Sequence, residues 1–242
     1  MLTRLPVPGS LVPGAGARAF SAVGALIGLA CFVPMVVVGS ALPAAAAILA
    51  VAAIAILSGG VHLDGLADTA DALAAVGPEA AERARKDPAV GAAGASALIL
   101  VLGLEVASLA FLGSGPGPLV AGLTCVVAGA VSRAVPVVVV RLARSGASAA
   151  GLGAWFAERT TTADAAVAGV ISALVAVACA LVVHDWMPVG AGLAGGLGGV
   201  GLGLALVRVR GQLDGDLLGA ATELTFAGTV LAAAALIGWP GA

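Results

Sequence analysis

Apolar residues run in long blocks along the chain. Seven stretches are read at about 19–39, 42–58, 91–112, 119–140, 163–183, 189–207 and 216–238. Each approaches the ~20 mainly apolar residues that cross a bilayer as a helix. Three polar stretches interrupt them, at 59–90, 141–162 and 208–215, and the turn Gly113–Pro118 parts the third block from the fourth. Outer-membrane barrels use period-two alternation and aromatic girdles, and the chain shows neither. The fold class this predicts is all-α: a polytopic membrane bundle of about seven transmembrane helices, one domain over 1–242. The first apolar block is too long for a signal-peptide core, so it reads as a retained span. The glycine-rich stretch 190–203 reads as a surface for close helix packing, since small residues let membrane helices approach one another.

Composition agrees with the pattern. Hydrophobic residues are 61% of the 242 and charged residues 10%, against about 45–50% and about 25% in a soluble domain. With 11 basic and 13 acidic residues, the net charge of −2 argues against a nucleic-acid partner. Cys31, Cys125 and Cys179 each sit alone in an apolar run and read as small buried hydrophobes. Basic residues are one-sided. If the N-terminus is cytoplasmic, the inside segments hold Arg4, Arg18, Arg83, Arg85, Lys86, Arg141, Arg144, Arg159, Arg208 and Arg210. The remaining one, Arg133, lies within the fourth block, and the outside segments hold none. Cytoplasmic loops carry the Lys and Arg, so the polar chemistry is expected to face the cytoplasm.

The most informative segment is Ser58-Gly-Gly-Val-His-Leu-Asp-Gly-Leu-Ala-Asp-Thr-Ala-Asp71. Asp64, Asp68 and Asp71 are spaced i, i+4, i+7, which puts three carboxylates on one helical face. Crowded anions at a membrane boundary are costly, and a divalent cation relieves the repulsion. Oxygen ligands favour a hard ion such as Mg²⁺, Mn²⁺ or Ca²⁺. Asp87 and Asp216 arrive from other segments and are expected to complete the metal set, while His62 stands just before the acids as a catalytic candidate. Lys86 and Asp87 precede the helix-breaking Pro88 and are placed to reach a ligand. Arg133 lies about 12 Å inside its span. An intramembrane Arg marks a functional site or an ion pair, here with Glu105 or Glu223. Gly215, Asp216 and Glu223 form a third cluster, with Asp216 and Glu223 on one helical face and Asp214 as a helix cap. Carboxylate-held metal beside cytoplasmic Arg and Lys suits phosphoryl transfer.

The stretch Gly59-Gly-Val-His-Leu-Asp-Gly-Leu-Ala-Asp-Thr-Ala-Asp71 closely resembles the signature of the cobalamin synthase family, the adenosylcobinamide-GDP ribazoletransferases. Thr3-Arg-Leu-Pro-Val-Pro8, Lys86-Asp87 with Val90-Gly91 and Gly94, and Gly215-Asp216, Leu218-Gly219-Ala220 and Glu223-Leu224 resemble further family motifs in the same order. Ser132-Arg133 and Gly151-Leu-Gly153 with Phe156 match weaker ones. The chain departs from the pattern at Pro88-Ala89, Ala93 and Gly211-Gln-Leu-Asp214. The resemblance implies a Mg²⁺-dependent transferase of the cytoplasmic (inner) membrane that joins adenosylcobinamide-GDP to α-ribazole or its 5′-phosphate and releases GMP. It implies catalytic roles for His62, Asp64, Asp68, Asp71 and Asp87, and substrate binding by Lys86, Arg133, Gly215, Asp216 and Glu223. Implied partners are the two substrates, the bilayer, and a second copy or other corrinoid-pathway enzymes. The rival readings are an enzyme of the CDP-alcohol phosphotransferase type and a cation-coupled transporter. The first expects Arg where Asp68 stands; the second expects acids near the midplane and inverted repeats.

Overall fold

The structure, a computed structural model, describes residues 16–87, 89–143 and 152–238. The expected motif at 3–8, Pro88, Arg144, Gly151 and the side chains of Arg85 and Lys86 lie outside the described residues. The described chain forms ten helices: α1 Gly16–Val38, α2 Pro43–Ser58, α3 Val61–Ala74, α4 Pro78–Lys86, α5 Ala92–Ser114, α6 Pro118–Leu142, α7 Leu152–Arg159, α8 Thr162–Val183, α9 Met187–Arg210 and α10 Gly215–Gly238.

Six of these (α1, α5, α6, α8, α9 and α10) are long and apolar enough to cross a membrane. The second expected span is a helix, but its 16 residues reach only about 24 Å, short of a ~30 Å hydrocarbon core. The chain then bends by 91° into α3. The count is therefore six spans, or seven if the bent pair is one broken span. Gly59 and Gly60 make the elbow with φ of 67° and 74°, a left-handed pair that side chains resist.

α6 is the central helix, with most of its length buried, and it touches α1, α5, α8, α9 and α10. Leu26, Ile56, Ile99, Leu174 and Leu197 point outward and are exposed. That placement fits lipid, which gives no hydrophobic reason to hide apolar side chains, so association rests on close packing. Such packing is visible where α1 crosses α6: a Cβ on Gly28 would lie 2.5 Å from the Cys125 carbonyl oxygen. The expected stripe on α9 works the same way, with Gly195 against Thr229 and Gly199 against Thr225 of α10.

Short turns at 39–42, 115–117 and 184–186 join helices at one end of the bundle. The other end carries α3, α4, α7 and the turn between α9 and α10. Polar contacts tie this second end together. Arg18 of α1 pairs with Asp164 of α8, whose side chain is 2% exposed. Asp164 also forms a capping box with Thr161, and the Arg141 guanidinium donates to the Thr160 carbonyl oxygen at 3.3 Å.

Candidate active site

α3 lies across the polar end, and its helical geometry puts Asp64, Asp68 and Asp71 within an arc of about 60°, at 100° per residue. Asp64 is exposed; Asp68 and Asp71 are half-buried. The opposite face, with His62, Gly65, Leu66 and Thr69, is buried. Gly65 is the crossing point with α10: a Cβ there would lie 2.6 Å from the Asp216 carbonyl oxygen and 3.1 Å from its Cα. Gly219, one turn on, faces His62 and Gly65. Glycines on both helices thus bring the backbone of Asp216 against α3, between Asp64 and Asp68 in sequence. The structure brings the backbone of Asp216 against α3 at Gly65, on the buried side of that helix, with Gly215 preceding it in the chain.

Asp214 caps α10: its Oδ1 accepts from the Leu217 N–H at 2.9 Å, and its Oδ2 from Arg210 at 3.0 Å. Arg210 is itself nearly buried, so the turn that presents Asp216 is fixed from both sides.

Asp71 is engaged differently from its neighbours. Its Oδ2 accepts from the Gly91 N–H at 2.7 Å and its Oδ1 from the Gly94 N–H at 2.8 Å. Gly91 is the N-cap of α5, so Asp71 supplies from another helix the cap that Gly91 lacks. A Cβ on Gly91 would lie 2.5 Å from an Asp71 oxygen, which accounts for glycine there. Asp87 is exposed and accepts from the Ala89 N–H at 2.9 Å. Among the described residues, no three His, Cys, Asp or Glu side chains converge as a metal-holding group.

Two cavities flank α3. An open cleft of about 460 Å³ is lined by the Gly59–Gly60 elbow, Val61, Asp64, Ala67 and, from the α4–α5 side, Val90 and Leu98. On the other flank is a smaller cavity of about 80 Å³. There Phe20 stacks on Phe156, with ring centroids 5.1 Å apart, beside His62, Gly215 and Gly219. His62 is 6% exposed and its Nδ1 has no partner.

Arg133 and Glu223 lie apart from this surface. Arg133 is wholly buried, as are Glu105 and Glu223 within 3%. One guanidinium nitrogen of Arg133 donates to the Ser132 hydroxyl at 2.8 Å, while Nε and Nη2 have no partner. No ion pair within 4 Å joins Arg133 to either glutamate among the described residues, so the three form a loose buried charge cluster at the centre of the bundle.

Sequence reasoning missed Phe20, which meets Phe156 only in the fold, and the Arg18–Asp164 tie. The pattern Thr161-x-x-Asp164 carried a signal for the latter, as a capping box.

The fold and site define a polytopic helical membrane protein with a carboxylate-rich surface at one end of its bundle. Residues 1–234 match the cobalamin-5-phosphate synthase family, and the chain belongs to it. It is similar to the adenosylcobinamide-GDP ribazoletransferase of Prochlorococcus marinus, with 49% identity over 88 residues, 36% of this chain and 34% of that one. The enzyme of the same name from Rhizobium etli is 38% identical over 143 residues, 54% of each chain. That from Leptothrix cholodnii is 40% identical over 147 residues, 58% of this chain and 55% of that one. The matches thus span from about a third to just over half the length of these relatives. No solved structure matches the chain.

Proposed function

We propose that the protein is an adenosylcobinamide-GDP ribazoletransferase working at the cytoplasmic face of the inner membrane. The observation that carries the reading is the α3–α10 crossing. It sets the Asp216 backbone against α3, the helix that bears Asp64 and Asp68 and whose other flank, with Asp64, borders an open cleft, in a chain of this family. In the reaction a ribose hydroxyl of α-ribazole, or of its 5′-phosphate, attacks the phosphorus bonded to the cobinamide. A new P–O bond forms, the bond to the bridging oxygen breaks, GMP leaves with that oxygen, and the hydroxyl proton is released.

The donor chemistry suits Mg²⁺. Asp64, Asp68 and Asp216 offer only hard oxygen atoms, and Mg²⁺ is commonly held by one or two carboxylates with water and substrate phosphate filling the shell. A compact three-residue cage is therefore not needed. Bound there, the ion would neutralise phosphate charge and favour the leaving group. The chain's own residues do the positioning. Arg210 and the Leu217 N–H hold Asp214, and so the turn before Asp216. Asp71 fixes the start of α5 against α3 and so sets the wall of the cleft at Val90 and Leu98. Asp71 and Asp87 join the ligand set only where the 87–94 turn yields their hydrogen bonds. Lys86, at the end of α4, is assigned to substrate phosphate.

The cytoplasmic orientation rests on the grouping of basic residues at the α3 end, in line with the bias of cytoplasmic loops. The test is purified protein with adenosylcobinamide-GDP, α-ribazole and Mg²⁺, assayed for GMP. Release that needs all three supports the reading, and none with competent substrates defeats it.

A further inference from the structure

A groove outside the candidate active site is floored by α6 and walled by α8 and α9, with a volume of about 270 Å³. We propose that it binds one acyl chain of a phospholipid with an anionic headgroup, the headgroup resting on Arg141 and Arg208 at the polar end of the bundle. The proposal rests on the bundle standing in a membrane and is independent of the transferase reading.

Lining and shape select a hydrocarbon chain. The walls are Val, Ala, Gly and Leu, and the polar side chain among them, Ser172, already donates to the Ala130 carbonyl oxygen at 3.2 Å. Water finds too few polar partners there. Gly169 to Val177 along α8 covers about 12 Å, so a groove of about 270 Å³ running that length is about 5 Å across. A single chain, whose carbons keep about 4 Å from their neighbours, fits that width. A helix of a second copy, about 10 Å across, does not enter. Scaled from the cavity of about 150 Å³ that takes a benzene, the groove holds about ten carbons. Extended, with C–C bonds of about 1.5 Å, these span about 12–13 Å, which matches its length. Leu193 and Leu197 of its wall are exposed, so it opens toward lipid. Its outer end is narrow, where a Cβ on Gly192 would lie 3.2 Å from Val127 and 3.8 Å from Ala176. Toward the polar end the walls part, and a Cβ on Gly169 meets nothing within 4 Å. The chain therefore enters from the polar end.

Charge at that end supplies the second contact. Arg141 follows Ala134 by seven residues on α6, and Arg208 follows Leu197 by eleven on α9. At 100° per residue, each arginine stands within about 20° of the groove residue it follows. Both are exposed. Arg141 reaches over the start of α8, where it donates to the Thr160 carbonyl oxygen and the Thr162 hydroxyl. Arg208 makes no hydrogen bond or ion pair among the described residues. Two acids of this end are committed to other partners, Asp164 to Arg18 and Thr161, and Asp214 to Arg210 and the Leu217 N–H. Tails alone give little preference, because the surrounding lipid is equally apolar. Selectivity comes from the headgroup, about fivefold for each arginine near the surface.

The test adds dioleoyl-phosphatidylglycerol to the full chain in detergent and counts bound lipid by native mass spectrometry. Dioleoyl-phosphatidylcholine, with the same tails and no net charge, is the comparison. Wild type is expected to keep one phosphatidylglycerol about tenfold more tightly than phosphatidylcholine. Gly169→Leu fills the groove and should weaken that binding by about tenfold or more. Gly198→Leu, the same change where a Cβ also meets nothing but outside the groove lining, should not. Arg208→Gln should cut the preference for phosphatidylglycerol about fivefold. Equal retention of the two lipids overturns the proposal, as does unchanged retention in Gly169→Leu or equal loss in Gly198→Leu. A second measurement needs no variant. Phosphatidylglycerol with a photoreactive group at mid-chain should label Ala173, Leu193 and Leu197 of wild type, and excess unlabelled phosphatidylglycerol should suppress that labelling. Labelling spread evenly over the exposed Leu26, Ile56 and Ile99 would mean bulk lipid only and overturn the site.

Discussion

Asp71 can be a metal ligand or the cap of α5, and one substitution separates the two. In Asp71→Asn the side chain keeps its size and one acceptor oxygen, but turns an N–H toward a backbone N–H. One of the two bonds, to Gly91 at 2.7 Å or to Gly94 at 2.8 Å, must go. Hydrogen bonds to a charged acceptor contribute about 1.5–3 kcal/mol, and helix caps about 0.5–2 kcal/mol. The Gly91 bond is solvent-exposed, so the lower part of these ranges applies. A loss of about 1.5 kcal/mol is roughly a tenfold rise in local opening of the α4–α5 turn. The assay pairs amide hydrogen exchange at Gly91 and Gly94 with a Mg²⁺ titration of GMP release. Exchange at both amides should quicken by about tenfold, while the Mg²⁺ midpoint stays within about twofold of wild type. Asp68→Asn should do the reverse, raising the Mg²⁺ requirement by about tenfold and leaving those amides protected. Unchanged exchange in Asp71→Asn, together with a midpoint shifted as far as in Asp68→Asn, would refute the capping role and return Asp71 to the metal.

Asp164→Asn removes the charge that Arg18 meets and weakens the capping box with Thr161; a loss of about 2 kcal/mol is expected, read as a fall of several degrees in thermal unfolding in detergent. Arg133→Met leaves Glu105 and Glu223 buried without a cation, and should cost about 3–5 kcal/mol, seen as poor yield of folded protein; Arg133→Lys, which keeps the charge, should be milder. Gly199→Ala would press its Cβ against Thr225, 2.9 Å from Cβ, for about 1–3 kcal/mol, whereas Gly198→Ala meets nothing within 4 Å and should leave the melting temperature unchanged.

Helix count and site were legible to different depths, and for physical reasons. The apolar blocks gave six spans within a few residues, because crossing lipid imposes a length on composition alone. The same criterion placed a span at 42–58, where the helix is the first arm of a bent pair that makes the seventh span if the two arms count as one; hydropathy cannot register the bend. The evidence for the bend was present as Gly59-Gly60, which the resemblance treated as part of a signature. Its conformational job, two successive left-handed residues that lay α3 across the end of the bundle, appears only in the backbone. The i, i+4, i+7 spacing did predict one acidic face, since α3 is a regular helix. What it could not do was tell equivalent carboxylates apart. Asp71 is set apart because the start of α5 comes in at it, while α10 crosses α3 at Gly65. That is tertiary information, carried by glycines on the partner helices rather than by the acids. The cavity at His62 belongs to the same class. Phe20 and Phe156 are far apart in the chain, and neither is marked by a local pattern. They meet because Gly153 lets α7 settle on Asp214, at the cap of the helix that carries Asp216. One short turn, 211–216, therefore fixes both an acid of the proposed metal site and a wall of the cavity at His62.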